Sequence, residues 1–218
     1  MIEWKSTKGF VGFKESEVFM EKRVEGIINK DESELIWLLE HEPFYTFGKS
    51  AQKEDLIDPN FLPCYEVKRG GSYTYHGPGQ RIIYIMLNIK NYGSDVRKFV
   101  WMLEEWIIKT INEFNIIGKR IKNRVGVWVE KDINLTNDIN NYPKKIAAIG
   151  LRVKKWVSFY GISLNLSPNL SNYDGIIACG NKGFGVTSFY NEGIKINFSE
   201  LDIALQKNFY NVFDNSNT

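Results

Sequence analysis

Residues Arg69 to Gln80 read RGGSYTYHGPGQ and place an arginine, a histidine and four glycines on one short stretch. A strand-like run, Tyr65 to Lys68, precedes this stretch, and an apolar run, Arg81 to Ile89, follows it. The pattern predicts a strand, a ligand-facing loop and a second strand. Glycine lets the backbone approach a ligand closely, while Arg69 and His76 supply side-chain donors. The alternative is a glycine-rich hairpin turn that carries a surface histidine.

Further apolar runs predict the strands of a sheet. Glu34 to Leu39 and Ile82 to Ile89 are almost continuously apolar, as in strands covered on both faces. Lys145 to Val153 and Trp156 to Leu166 are predicted to be neighbouring strands. Glycines interrupt these last two strands at positions where a bulge or a close ligand approach is expected: Gly150 and Gly161.

Three stretches with helical spacing of apolar residues predict the flanking helices. They cover residues 13–29, 96–114 and 199–213, and the second has the most regular apolar stripe. The caps predicted for the second and third helices are Ser94 and a capping box formed by Ser199 and Asp202. Together with the strands, these helices predict a mixed α/β or α+β class, built on a mixed β-sheet with flanking helices.

The composition limits the class of protein. With 218 residues, 43% of them hydrophobic, the chain can bury one large core, and a single domain over residues 1–218 is predicted. Its 28 basic and 26 acidic residues give a net charge of +2, which does not favour nucleic acid as a partner. Two cysteines are too few for a disulfide framework. Because no signal-peptide pattern and no long apolar run is present, a cytoplasmic protein without membrane attachment is expected.

Two connections between predicted strands stand out. Lys119, Arg120, Lys122 and Arg124 form a basic cluster, which fits either a solvated connection or a dock for an acidic partner. Residues 131–143 are polar and asparagine-rich, which predicts an insertion in a loop rather than a domain boundary.

The two cysteines have different settings. Cys179 lies among glycines, so its thiol is predicted to sit on an open turn that a substrate can reach, although isolated cysteines are often structural. Cys64 follows Pro63 at the start of a strand, where a small buried hydrophobe is expected. A free thiol has a pKa near ~8.5, so a nucleophilic cysteine needs a nearby cation or base.

Several side chains could activate a thiol at Cys179. His76 would make a Cys–His pair of the hydrolase type, whereas a lysine would supply positive charge instead: Lys144, Lys145 or Lys182. The chain contains no HExxH, CxxC or GxSxG pattern, which argues against a zinc protease, a thioredoxin-like redox site and a serine hydrolase. Neither a metal nor a cofactor is therefore predicted.

Four segments resemble the octanoyltransferases of lipoate biosynthesis, the lipoyl(octanoyl) transferases. They occur in the expected order, and together they run from about residue 38 to residue 189. Glu40 to Gly48 resembles the family's EH-x-P-x-YT-x-G segment, and Arg69 to Gln80 resembles its RGG-x-x-TYHGPGQ loop. The other two segments are similar to its KIA-x-x-G strand with the strand that follows, and to its cysteine segment: Lys145 to Val153 with Ser158 to Asn165, and Cys179-Gly180 with Gly185 to Ser188.

The resemblance implies the fold of the biotin and lipoate protein ligase catalytic domain, and it implies a reaction. An octanoyl group would move from the thioester of acyl carrier protein to Cys179 and then to a lysine of a lipoyl domain. Lys145 would lower the thiol pKa. The residues that would line the acyl site are Arg69, Gly70, Gly71, Ser72, Tyr73, Thr74, Tyr75, His76, Ala148, Ile149, Gly150, Gly161, Ile162 and Ser163.

The resemblance also implies the partners. Octanoyl-acyl carrier protein would be the donor, and the acceptors would be the lipoyl domains of 2-oxoacid dehydrogenases and the glycine cleavage H protein. The chain would act as a monomer, without metal, cofactor, nucleic acid or membrane.

The sequence departs from the family pattern at three places. Ala178 stands where the family usually has proline, Tyr160 stands where it has histidine, and the loop of residues 131–143 is longer than its usual hairpin. The longer loop puts the choice of partner protein in doubt, but not the reaction type. Three alternatives remain: an ATP-dependent lipoate or biotin ligase on the same fold, a cysteine hydrolase using Cys179 and His76, and a non-catalytic lipoyl-domain or carrier-protein binder.

Overall fold

A seven-stranded mixed sheet forms the centre of the molecule. The structure, a computed structural model, describes residues 2–130, 142–178 and 184–214. The strands of this sheet lie in the order β1-β2-β6-β10-β9-β8-β7, and only β1 and β2 are parallel. Their bounds are β1 Glu3–Phe10, β2 Leu35–Glu40, β6 Gln80–Met86, β7 Gly118–Ile121, β8 Arg124–Val129, β9 Lys144–Lys154 and β10 Val157–Asn165. The predicted mixed sheet is therefore confirmed.

The central strands are apolar on both faces because helices cover both sides of the sheet. Every residue of β6 and of β10 is buried. Helices α2 (Val96–Asn112) and α3 (Phe198–Phe213) pack together on one face, where the Trp106 indole donates to the Leu205 carbonyl over 2.7 Å. Helix α1 (Phe13–Asn29) packs on the other face. None of the helices in the described ranges is long and apolar enough to cross a membrane.

The helix caps differ from those predicted. Asp95, not Ser94, caps α2, and its carboxylate accepts hydrogen bonds from the backbone of the first turn. Ser94 has a φ of 55°, so it precedes the cap in a left-handed conformation. Asn197 caps α3 and forms a capping box with Glu200. The prediction of a box from Ser199 and Asp202 was wrong by two residues, because that helix begins earlier.

A second sheet of three short strands carries the glycine-rich stretch. It has the order β4-β3-β5, with β3 at Phe44–Phe47, β4 at Cys64–Glu66 and β5 at Thr74–His76. The strands on either side of the RGG turn thus lie in a different sheet from β6. The hairpin alternative was wrong. The stretch instead crosses from the small sheet to the large one.

Candidate active site

A cavity of about 360 Å³ lies between the α1 face of the large sheet and the glycine-rich stretch. This volume is in the range of small-molecule sites. Its walls combine apolar side chains, glycines and a few polar groups, and the lining residues include Phe13, Thr46, Val67, Arg69, Gly71, Ser72, Thr74, His76, Ile82, Tyr84, Val125, Lys145, Ala148, Ile149, Gly150, Tyr160, Gly161, Ile162 and Ser163.

Two glycines face each other in the sheet beside this cavity. Gly150 on β9 pairs with Gly161 on β10. A Cβ at Gly161 would lie 2.0 Å from the Ile83 carbonyl oxygen, and one at Gly150 would lie 2.8 Å from Arg69 Cδ. No bulge interrupts the β9–β10 pair at these glycines, and the predicted close approach of a ligand stays a prediction. The atoms that approach them belong to the protein, and both glycines also line the cavity.

The Arg69 side chain holds the glycine-rich stretch in place. Its guanidinium donates to the Gly70 and Ser72 carbonyls and to both the carbonyl and the hydroxyl of Thr46, over 2.7 to 3.1 Å. On the opposite side, a Cβ at Gly48 would lie 2.6 Å from the Arg69 and Gly71 carbonyl oxygens. Close backbone contact and buried hydrogen bonds together fix this wall of the cavity.

A bulge in β9 decides which lysine faces the cavity. Val127 pairs with Ala147, but the next residue, Trp128, pairs with Lys145, so Ile146 is an extra residue on β9. Side chains on a strand alternate between faces, and one extra residue reverses the alternation. Ile146 and Ala147 therefore both face the helices α2 and α3, while Lys145 faces the cavity. Lys144 is exposed, and of the two lysines Lys145 lines the cavity.

The Lys145 side chain is buried and fixed. It is 6% exposed, its Nζ donates to the Val125 carbonyl over 3.1 Å, and this nitrogen lies 4.6 Å from the centre of the Trp128 ring. Its backbone pairs with the segment Gly185 to Thr187: the Lys145 N–H donates to the Gly185 carbonyl, and the Thr187 N–H donates to the Lys145 carbonyl, each over 2.9 Å. The segment that follows residues 179–183 thus runs beside Lys145.

Both ring nitrogens of His76 are engaged. One contacts the Gln80 amide oxygen and the other contacts the Thr46 hydroxyl, each over 3.1 Å. Burial lowers the pKa of His76 to about 3, and the neighbouring His41 and Arg69 act in the same direction. The Gln80 amide oxygen can only accept, so His76 Nδ1 donates to it, and in a neutral ring Nε2 then accepts from the Thr46 hydroxyl. His76 is consequently a wall residue without a free nitrogen for a thiol proton.

The structure brings most of the predicted site residues together. Lys145 and 11 of the 14 predicted acyl-site residues line the cavity. The other three lie behind its wall. Tyr73 stacks on Phe47, the Tyr75 hydroxyl accepts from Asn172, and the Gly70 N–H donates to Leu151. Cys179 lies outside the described residues, as does most of the predicted insertion.

Sequence reasoning missed part of the α1-side wall. Phe13, Tyr84 and Tyr160 line the cavity, and Tyr160 donates to Glu17 over 2.6 Å. Tyr160 had been noted only as a departure from the family pattern. Its place immediately before a paired glycine was the available signal, but a strand sequence does not reveal which distant helix will cover it.

Comparison with sequence families matches residues 14–209 to the lipoyl protein ligase A/B catalytic domain. A relative from Bartonella henselae named octanoyltransferase is 48% identical over 213 residues, which cover 97% of this chain and 87% of the relative. An octanoyltransferase from a Jannaschia species is 45% identical, over 98% of this chain and 99% of the relative.

Solved structures show the same fold at low sequence identity. A bipartite lipoate protein ligase from Thermoplasma acidophilum superposes with a TM-score of 0.67 at 12% identity, over 97% of this chain and 83% of that one. Lipoate-protein ligase A bound with ATP gives 0.63 at 12% identity, over 98% and 83%. These likenesses concern the fold, whereas the family model and the close relatives concern the family. The chain therefore belongs to the lipoyl(octanoyl) transferases of the lipoyl protein ligase A/B catalytic-domain family, and it is an acyltransferase.

Proposed function

We propose that this enzyme moves an octanoyl group from the thioester of acyl carrier protein to a lysine of a lipoyl domain, with Cys179 as the intermediate carrier. The observation that carries this proposal is the buried Lys145 amine at the edge of an apolar cavity, beside the segment that follows Cys179. A fixed cation next to a thiol favours the thiolate, which is the nucleophilic form.

The reaction consists of two acyl exchanges. The Cys179 thiolate attacks the carbonyl carbon of the donor thioester, a carbon–sulfur bond forms, and the carrier leaves as its thiolate. The acceptor lysine amine then attacks the same carbon and the Cys179 thiolate leaves. The proton that the nitrogen releases as the amide forms balances the carrier thiolate expelled in the first step, so the products are the amide and the free carrier thiol. Both steps start from an activated acyl group, so neither needs nucleotide.

The cavity suits an acyl chain. Val67, Ile82, Phe13 and Tyr84 supply apolar surface, and Gly150 and Gly161 leave the sheet surface without side chains. Burial of each methylene in such a site contributes about 0.8 kcal/mol. The carbonyl end would then lie toward Lys145, because the acyl carbon is bonded to Cys179 in the proposed intermediate.

Two of the alternative functions, a Cys–His hydrolase and an ATP-dependent ligase, can be weighed against this proposal. A Cys–His hydrolase needs a histidine nitrogen that can take the thiol proton, and both nitrogens of His76 are already engaged. The ATP-dependent ligases share the fold, so fold does not separate them from this enzyme. The identity of 45% and 48% to octanoyltransferases favours transfer from a thioester.

The partners follow from the same proposal. We assign octanoyl-acyl carrier protein as donor, lipoyl domains of 2-oxoacid dehydrogenases and glycine cleavage H protein as acceptors, and a monomer as the active form. Three of the four side chains of the basic cluster have partners within the chain: Lys119 with Glu130, Arg120 with Glu104 and Glu105, and Arg124 over the Phe184 ring. These contacts favour a structural connection over a dock for an acidic partner, and Arg124 also lines the cavity. Cys64 is a free thiol, which suits a reducing cytoplasm.

The test combines mass spectrometry with a transfer assay. Wild-type protein, Cys179→Ser and the matched control Cys64→Ser are incubated with octanoyl carrier protein in EDTA and without ATP, and a lipoyl domain is then added. We expect an octanoyl adduct and transfer for wild type and Cys64→Ser, and neither for Cys179→Ser. An essential Cys64, or a strict need for ATP and magnesium, would overturn the proposal.

A further inference from the structure

Helix α2 contributes a buried carboxylate to the surroundings of Lys145. Glu104 is 7% exposed, and its Oε1 accepts a hydrogen bond from the Gly126 N–H over 2.9 Å. Its Oε2 forms an ion pair with Arg120 Nε over 3.2 Å. Burial raises the pKa of Glu104, while Arg120 and Lys145 oppose this rise.

One peptide unit connects Glu104 to Lys145. The Gly126 N–H, which contacts Glu104, and the Val125 carbonyl, which accepts from Lys145 Nζ over 3.1 Å, belong to the same peptide group. A trans peptide directs its N–H and its C=O to opposite sides. A carboxylate on one side therefore fixes the direction of the carbonyl on the other, and it polarises that carbonyl toward the amine.

The backbone at position 126 requires glycine. Gly126 has a φ of 119°, a conformation that other residues rarely adopt. A Cβ at Gly126 would lie 2.6 Å from the Ala147 carbonyl oxygen and 3.4 Å from Lys145 Nζ. The turned peptide thus packs against the Ala147 carbonyl, next to the bulge at Ile146, and against the end of the Lys145 side chain.

We propose that Glu104 is a positioning residue for the reaction: through the Val125–Gly126 peptide it holds the Lys145 amine at the cavity. This inference rests on the proposed function, in which that amine stabilises the reactive thiolate. Glu104 itself contacts neither the cavity nor, in the proposed reaction, the substrate. Its effect reaches the site through one hydrogen-bonded peptide.

Two substitutions of Glu104 distinguish its proposed positioning role from its ion pair with Arg120. Glu104→Gln removes the charge but keeps an oxygen that can accept from Gly126. Glu104→Asp keeps the charge but shortens the side chain by one methylene, which withdraws it from the Gly126 N–H. We expect Glu104→Asp to lower kcat about tenfold with an unchanged KM for the lipoyl domain, because this variant loses one charge-assisted hydrogen bond to Gly126. Glu104→Gln should stay within about threefold of wild type, because it keeps an acceptor for the Gly126 N–H.

Glu105→Ala is the matched control. Glu105 also pairs with Arg120, over 2.7 Å, but Gly126 N–H bonds only with Glu104 among the described side chains. We expect this variant to have wild-type kcat. The pH at which the thiol becomes reactive to iodoacetamide should rise in Glu104→Asp and stay unchanged in Glu105→Ala.

The outcomes distinguish this inference from the proposed function. If Glu104→Gln is impaired and Glu104→Asp is not, or if Glu105→Ala is impaired as Glu104→Asp is, the ion pair carries the effect and the positioning role is wrong. If Lys145→Met loses transfer while Glu104→Asp keeps it, only this inference fails. If Lys145→Met keeps full transfer, the role proposed for Lys145 fails, and this inference fails with it.

Discussion

The two faces of the seven-stranded sheet are built from the same strands but from different kinds of residue. On the α2–α3 face, apolar side chains from every central strand meet large aromatic side chains, including Trp106 and Phe209. On the α1 face, β9 and β10 contribute Lys145, Gly150 and Gly161 to a cavity. The first face holds packed side chains, whereas the second leaves space for a substrate. The residues that stabilise the fold and those that line the cavity therefore lie on opposite sides of one sheet. Substitutions on the first side should lower the free energy of unfolding, and substitutions on the second should lower the rate of transfer.

The largest expected effect is a loss of stability after substitution on the packed α2–α3 face. Trp106 is fully buried between α2 and α3, so Trp106→Ala should lower the free energy of unfolding by about 3–5 kcal/mol. Trp101, on the same helix, is 50% exposed, and Trp101→Ala should cost less than about 1 kcal/mol. Urea unfolding of both variants checks this, and activity per folded molecule should stay near wild type. Equal losses of stability would contradict the comparison.

The next effect concerns Lys145 on the cavity face. Without this cation the thiol pKa should return toward ~8.5, where only a few per cent is thiolate at pH 7, so transfer by Lys145→Met should fall about thirtyfold. Lys144→Met should be close to wild type, since Lys144 is exposed. The pH dependence of alkylation by iodoacetamide measures the thiol pKa. A normal profile in Lys145→Met with a shifted one in His76→Ala would favour a Cys–His enzyme.

A loss of stability of similar size should follow from protonation of two histidines, His76 in the cavity wall and His41 behind it. Burial lowers the pKa of His41 to about 4, and its ring contacts Tyr84 and the Val11 carbonyl. Because the folded pKa lies below the unfolded value of about 6.5, the stability is fully present above pH 6.5 and is lost as pH falls toward 4. Between pH 7 and pH 5 the loss should be about 2 kcal/mol for His41, with a smaller share for the partly exposed His76.

Denaturant unfolding at pH 7 and pH 5 measures this loss. The chain has two histidines, so NMR titration can assign each ring with a single His76→Gln variant as control. Ring signals that titrate near pH 6.5 in the folded protein would contradict the burial argument.

The smallest expected effect comes from two adjacent alanines that lie on opposite faces of the sheet. Ala147 faces the helices and Ala148 faces the cavity. Ala148→Leu should reduce octanoyl transfer about tenfold by occupying substrate space, with little change in stability. Ala147→Leu should instead destabilise the fold by about 1–3 kcal/mol through overpacking. Transfer rates and urea midpoints test both, and a reversed pattern would place the bulge elsewhere.

Much of the fold could be predicted from apolar periodicity. The limits of α1 and the pairing of β9 with β10 follow from local patterns, and the structure confirms them. The caps of α2 and α3 were wrong by one and two residues, because Ser, Asp and Asn all cap helices and several stand together there.

The candidate site was only partly predictable. The motifs named most of the lining residues, but nothing in the local sequence separates an even strand from one with a bulge at Ile146. The role proposed for Glu104 could not be predicted either, because in the sequence it is one polar position in an amphipathic helix. Its partner, Gly126, is 22 residues away in the chain. Contacts of this range depend on the final packing rather than on local preference.

The bulge at Ile146 lets β9 carry one extra residue and still present Lys145 to the cavity. A strand of the present length with even alternation from Ala148 would turn Lys145 toward the helices and bring Lys144 to the cavity, whereas deletion of Ile146 would restore even alternation with Lys145 still at the cavity. An even strand of the present length would therefore keep a lysine at the cavity, but in a place without the Val125 carbonyl and the Trp128 ring that now hold Lys145. Deletion of Ile146 would thus separate the side on which Lys145 lies from the bulge itself, which no substitution can do.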